Sequence, residues 1–237
     1  MTEPPPPSAA GRRVAIVTGG GSGAGAVMAR ALAAAGLRVV VADIDFALAG
    51  QVAAGIRDGG GLALAHRCDV AIEDQVQTLI ERTRREFGGL DVLVNNAGPV
   101  SLEPILSHWS RTVATNLLGT LLVTRHALEA LRERHGIVIN IAASDALGMA
   151  PAEQPVFAAA KAGVLRFSSA FAAEAAALGI TVHCIAPDPA AVAKANALVA
   201  LVCRLATAPR RDAQGAVPPS QWLACRGEEI TSLGHAT

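Results

Sequence analysis

Tyrosine is absent from this 237-residue chain, and aromatic residues of all kinds make up only 3% of it. No phenolic hydroxyl is therefore available as a proton donor, in one copy of the chain or in an assembly of copies. A core this poor in aromatics must be packed from Ala, Val, Leu and Ile. Net charge is lacking as well, since 20 basic and 20 acidic residues cancel. The two signs are interspersed, so the basic stripe that nucleic acid demands is missing. Arg12-Arg13, Arg84-Arg85 and Arg210-Arg211 read as solvated surface pairs. Cys68, Cys184, Cys203 and Cys225 have no CxxC spacing, which suits reduced, buried thiols rather than a disulfide framework. The histidines include no HxxxH pair, so no metal site is expected. No uncharged apolar run approaches the length of a membrane span. The first ten residues carry Glu3 and a run of prolines but no apolar stretch of the signal-peptide kind. A soluble, cytoplasmic protein is expected, with no membrane or nucleic-acid partner.

From Arg13 onward, short β-branched runs alternate with helical patterns. Val14-Ala15-Ile16-Val17 suits a strand buried on both faces. A helix is predicted from Gly23 to Ala35, stopped by Gly36. Strands are predicted at Arg38–Ala42, Leu62–Arg67, Asp91–Val94, Ile137–Ile141 and Thr181–Ile185. Helices are predicted at Phe46–Asp58, Ile72–Phe87, Ser107–Arg134 and Pro155–Leu178, and again from Ala190 through Leu198 to Leu205. Strict β-α alternation implies one α/β domain, a Rossmann-type doubly wound parallel sheet with helices on both faces. That domain is placed at residues 13–208, after a disordered Pro-rich leader over 1–12. Over 209–237 the periodicity fades and no structure is assigned.

Ligand sites in such sheets lie at the carboxyl ends of the strands. Directly after the first strand comes Thr18-Gly19-Gly20-Gly21-Ser22-Gly23-Ala24-Gly25, which opens a helix. Glycines let the backbone turn tightly and approach a pyrophosphate, and the helix N-terminus offers it free N–H groups. Asp43 ends the second strand, where a carboxylate can accept hydrogen bonds from both ribose hydroxyls of an adenosine and repel a 2′-phosphate. No Arg or Lys in the glycine loop or at Ile44 offsets that charge, so NAD(H) is expected over NADP(H).

In this setting the TGxxxGxG pattern of Thr18–Gly25 resembles the fingerprint of the short-chain dehydrogenases/reductases. Asp69-Val70 resembles that family's adenine-contacting pair, and Asn95-Asn96-Ala97-Gly98 its NNAG motif. His108-Trp109 through Asn116-Leu117-Leu118-Gly119 is similar to its long interface helix. The likeness runs from Arg13 to Pro187. It implies hydride transfer between a nicotinamide and an alcohol or carbonyl, carried by an Asn-Ser-Tyr-Lys tetrad. It also implies a homodimer or homotetramer built on the helices Ser107–Arg134 and Pro155–Leu178. Asn95, Ala97 and Gly98 join Thr18, Gly19, Ser22, Gly23, Ala24, Gly25, Asp43, Asp69, Val70, Lys161, Pro187 and Asp188 as expected cofactor contacts.

The tetrad is incomplete. Lys161 matches the lysine and Asn116 the asparagine. Ser144 stands thirteen residues before the tyrosine position, while a count forward from Asn140-Ile141 places Ala143 there instead. At the tyrosine position itself stands Phe157. A phenyl ring packs much as a phenol does but exchanges no proton, and loss of a positioned acid/base commonly forfeits on the order of 10²–10⁴ in rate. Ser144, Asp145, His183 or a water held by Lys161 are the conceivable replacements. Where the family reads PG, this chain has Pro187-Asp188. Asp188 either sets a carboxylate beside the nicotinamide or caps the helix that follows. The family's lid insertion is missing after Pro189. Three readings stay open: an oxidoreductase with an altered proton relay, a non-catalytic NAD-binding partner or sensor, and a non-redox enzyme on the same scaffold.

Overall fold

In the computed structural model, residues 11–98, 108–147, 154–210, 218–226 and 228–235 are described. Residues 1–10 of the leader and the stretch Gln214–Val217 lie outside the described residues. Eight strands form one sheet: β1 (Val14–Thr18), β2 (Arg38–Asp43), β3 (Leu62–Arg67), β4 (Val92–Asn95), β5 (Ile137–Ile141), β6 (Thr181–Pro187), β7 (Gln221–Arg226) and β8 (Glu229–His235). Their order is β3-β2-β1-β4-β5-β6-β7-β8, so the chain reverses its direction of winding between β1 and β4. Pairing is parallel throughout except for the β7–β8 hairpin. β1, β4, β5 and β6 are buried along their whole length, which is why their sequences run apolar without alternation.

Helices α1 (Gly23–Ala34), α2 (Phe46–Asp58) and α8 (Asn196–Thr207) close one face of the sheet. The opposite face is covered by α3 (Glu73–Phe87), α5 (Gly119–Arg134) and α6 (Pro155–Ala177). The predicted doubly wound sheet is therefore the observed architecture. Gly36 ends α1 as expected: its φ of 89° is left-handed, and the Leu37 N–H reaches back to the Leu32 carbonyl at 3.1 Å. Helix α6 is 23 residues long with a hydropathy of 1.3. It packs on β6 with Ala160, Lys161, Val164, Ser168, Ala172 and Ala175 buried.

Two features depart from the sequence-based expectation. The single helix expected over Ser107–Arg134 is α4 (Trp109–Val113), a π-helical turn (Ala114–Leu118) and then α5. A π turn inserts one extra residue into the helix, here around Asn116. Beyond Thr207, where periodicity fades, β7 and β8 extend the sheet. β8 is exposed along nearly its whole length, so no buried face marks it in the sequence. At the other edge, Arg57 and Arg82 donate to the carbonyls of Ala63 (3.0 Å) and Ala65 (3.3 Å). These guanidiniums cover part of the unpaired backbone of β3.

Candidate functional site

The carboxyl ends of β1, β2 and β4 meet at the winding reversal, and side chains lock the glycine loop there. Thr18 Oγ1 accepts the N–H groups of Asn96 (3.0 Å) and Ala97 (3.1 Å) and donates to the Val94 carbonyl. Asn96 Nδ2 donates to the carbonyls of Thr18 (3.0 Å) and Gly19 (3.2 Å). Gly19 is left-handed at φ 62°, and a Cβ there would stand 2.9 Å from the Ala97 Cα. At Gly25 a Cβ would lie 2.0 Å from the Gly19 carbonyl oxygen, so the first turn of α1 folds directly onto the loop. Asn96 was not singled out by the sequence reading. Its place inside the NNAG run was the available signal.

The N-terminus of α1 is left uncapped. Ser22 makes no side-chain cap hydrogen bond and the first turn carries no acidic residue. The N-termini of α2 and α7 (Pro189–Lys194) are filled instead by Asp45 and Asp188. Open space surrounds the Gly23 Cα, whose φ is 50°. Orphan N–H groups beside a gap with no side chain in it fit an incoming anion. Asp43 stands at the rim. Its Oδ2 accepts the Gly21 N–H at 2.8 Å and its Oδ1 the Asp45 N–H at 3.0 Å. The carboxylate is thereby fixed in place, and each oxygen keeps a further lone pair.

Across the groove, Asp69 Oδ1 accepts the Ala71 N–H at 3.0 Å, and Arg111 of α4 approaches its Oδ2 at 3.9 Å. Val70 is buried against Gly119, where a Cβ would come within 2.5 Å of the valine. Asn95 is not turned toward the groove. Its amide donates to Thr124 Oγ1 and to Asn140 Oδ1, both at 2.9 Å. Asn140 in turn donates to Ser168 Oγ at 2.8 Å. Asn95 thus belongs to a polar chain buried beneath the sheet ends.

Gly98 touches the π turn. A Cβ on it would stand 2.1 Å from Asn116 Oδ1, so only glycine allows this approach. Asn116 is fully buried and its Nδ2 donates to the Thr112 carbonyl at 3.1 Å. Its Oδ1 is buried with no hydrogen-bond partner among the described residues. Ser144 opens a short 3-10 turn (Ser144–Leu147) that packs on α6. Ser144 and Ala143 are both half-buried, so burial does not separate them.

Phe157 and Lys161 share one face of α6, both buried. Lys161 Nζ lies 5.6 Å from the Phe157 ring centroid and donates to the Ile141 carbonyl at 2.9 Å. No carboxylate pairs with it among the described residues. Burial pulls its pKa down to about 8, with the neighbouring Cys184 opposing the shift. Cys184 is itself pushed up to about 11 by burial. His183 is no substitute for the phenol. Its ring is buried on β6, Nδ1 accepts the Gln221 N–H at 3.2 Å, and burial lowers its pKa to about 4. Asp188 Oδ1 accepts the Ala191 N–H at 2.6 Å, so this carboxylate caps α7, while Pro187 is buried at the end of β6.

Residues 13–200 match the family model for short chain dehydrogenases. The chain is 40% identical over 173 residues to a cis-4-hydroxycyclohexanecarboxylate dehydrogenase of Sinomonas cyclohexanicum, covering 70% of this chain and 68% of that protein. It is 38% identical over 171 residues to a 3-oxoacyl-[acyl-carrier-protein] reductase of Synechocystis, covering 70% and 69%. A crystal structure of a short chain dehydrogenase from Mycobacterium avium superposes with a TM-score of 0.82 at 32% identity, over 95% of this chain and 86% of that one.

Proposed function

Since this chain belongs to the short-chain dehydrogenase family, whose relatives are named dehydrogenases and reductases, we propose that it binds NAD(H) and works on an alcohol/carbonyl pair with an impaired proton relay. The observation that carries the binding half is the uncapped N-terminus of α1, open at Gly23 and flanked by the fixed Asp43 carboxylate. The N–H groups of Gly23, Ala24 and Gly25 would hold the pyrophosphate, with Ser22 at its edge. Asp43 would accept the adenosine ribose hydroxyls and disfavour a 2′-phosphate. Val70 and Asp69 would serve the adenine, and Pro187 and Lys161 the nicotinamide riboside. The dinucleotide, when bound, would supply the hydride chemistry. Lys161 would hold the ribose through Nζ protons not used by Ile141, and Asn116 would offer its unpartnered Oδ1 to a water.

On this reading the proton step is the impaired one. Phe157 brings no hydroxyl to the space in front of Lys161, so the substrate oxygen depends on Ser144 or a water held by Lys161. A second reading, a protein that binds NAD(H) without turning it over, draws on that same ring. One experiment separates the two. NADH and NADPH are titrated by fluorescence, and a panel of carbonyls and alcohols is assayed with wild type and Phe157→Tyr. Wild-type turnover supports the enzyme. Tight NADH binding with turnover only in Phe157→Tyr supports the binding protein. No binding of either dinucleotide overturns both.

The exposed apolar residues Trp109, Val113 and Leu118 on α4 and the π turn support self-association through this helix and α6. A sedimentation result of monomer alone at micromolar concentration refutes that part.

A further inference from the structure

The β3 edge of the sheet carries a cavity that the proposed dinucleotide groove does not use. Its volume is about 430 Å³, and its lining is Phe46 at the start of α2, His66 and Arg67 at the end of β3, and Gln75, Thr78 and Arg82 on α3. This size falls within the range of small-molecule sites, about 300–1,000 Å³.

No carboxylate is in the lining, and its polar groups are mostly hydrogen-bond donors. Arg82 uses Nη1 on the Ala65 carbonyl at 3.3 Å and stands 3.4 Å from His66 Nδ1. A nitrogen facing a guanidinium acts as acceptor, so the His66 proton sits on Nε2. Burial and Arg82 both lower the pKa of His66, which keeps the ring neutral. Gln75 spends its Oε1 on the Asp69 N–H at 2.8 Å, leaving its NH₂ free to donate. Thr78 turns its hydroxyl back to the Asp74 carbonyl at 2.8 Å.

Arg67 makes no hydrogen bond or ion pair among the described residues. It pairs in register with Asp43 on the next strand, yet both Asp43 oxygens are turned to backbone N–H groups and leave the guanidinium unneutralised. Beside it the Phe46 side chain is 54% exposed at the first position of α2, where burial explains nothing about its identity. An uncommitted guanidinium, a second guanidinium bonded to the strand edge and an exposed phenyl ring border one open depression.

We propose that this cavity binds an organic anion: a phosphate or carboxylate carried on a flat ring. The ring stacks on Phe46, and the anion pairs with Arg67 and Arg82, guanidiniums being suited to both carboxylate and phosphate oxygens. None of the six lining residues is among those assigned to the dinucleotide groove, which the cavity adjoins where Arg67 pairs in register with Asp43 and Gln75 accepts the Asp69 N–H.

Calorimetric titration of the full-length protein with phenyl phosphate, benzoate and inorganic phosphate tests this. The two ring-bearing probes are expected to bind, with inorganic phosphate about tenfold weaker. Arg67→Ala is expected to weaken both ring-bearing probes about fivefold or more, because Arg67 supports no other part of the fold. Phe46→Ala brings phenyl phosphate down to the level of inorganic phosphate. NADH affinity stays unchanged in both variants. A difference between phenyl phosphate and benzoate identifies which anion the site prefers. The proposal is overturned if neither ring-bearing probe binds at about 10 mM, or if neither variant changes their affinity. It is equally overturned if Arg67→Ala weakens NADPH alone, which would assign Arg67 to the dinucleotide groove. Failure of the protein to bind NADH leaves these anion isotherms readable, so the two proposals fail separately.

Discussion

Replacing Lys161 with methionine should make the folded protein more stable at neutral pH. Lys161 is 3% exposed and its pKa is lowered to about 8 from an ordinary 10.5, mainly by desolvation. At about 1.4 kcal/mol per pH unit, that depression corresponds to about 3 kcal/mol of destabilisation while the ammonium is charged. Methionine fills a similar volume without the charge but leaves the Ile141 carbonyl without its donor, a loss of about 1–2 kcal/mol. The net expectation is a gain of about 1–2 kcal/mol at pH 7, read by urea unfolding. The pH dependence has a fixed sign. Between pH 8 and 10.5 the unfolded chain keeps a proton that the folded chain has released, so wild-type stability rises with pH across that window. The variant's advantage should therefore be complete below pH 8, vanish at about pH 9 and be fully reversed by 10.5. Subtracting the two curves removes titrations common to both proteins. A Lys161→Met protein less stable than wild type at pH 7, or a difference that ignores pH, would refute the reasoning. The same variant should bind NADH more weakly, which separates the residue's use from its cost.

Other outcomes follow from named contacts. Asp91 is 1% exposed, accepts the Val14 N–H at 2.7 Å and pairs with Arg210, so Arg210→Met should destabilise by about 3 kcal/mol in denaturant unfolding. Gly25→Ala puts a methyl 2.0 Å from the Gly19 carbonyl and should abolish NADH binding by fluorescence titration while also lowering Tm. His183 is depressed to about 4 by burial, so wild-type stability should fall as pH drops from 6.5 towards 4, by about 3 kcal/mol in all. His183→Gln should flatten that acid limb in pH-dependent unfolding. A limb that stays unchanged would place its origin elsewhere.

The alternation of buried apolar runs with helical patterns was enough to read the sheet through β6, because β1, β2, β4, β5 and β6 are buried almost throughout and only the edge strand β3 is partly exposed. The glycine loop was legible for a related reason: a tight turn between a buried strand and a helix admits few other residues. The π turn was not legible. Gly98 meets Asn116 there from a separate segment, and the local sequence of α4 and α5 reads as uninterrupted helix. β8 was hidden by its exposure, since a strand without a buried face has no period to detect. For the candidate site, residue types placed the expected contacts at the carboxyl ends of the strands but did not give side-chain direction. Asn95 turns inward to Thr124 and Asn140, while its neighbour Asn96 secures the loop. For Asp188 the sequence left two roles open, and the hydrogen bond to Ala191 fills the capping one.

The ring of Phe157 over the Lys161 ammonium has an optical consequence. Because the chain contains no tyrosine, the phenol in the Phe157→Tyr variant is the sole chromophore of its kind, set against two tryptophans that do not titrate. Its phenolate absorbance can then be followed through a pH titration without background. The midpoint reads the balance between burial of position 157 and the field of Lys161, with no substrate needed. In relatives with several tyrosines that measurement would be an average, whereas here one absorbance curve reports one site.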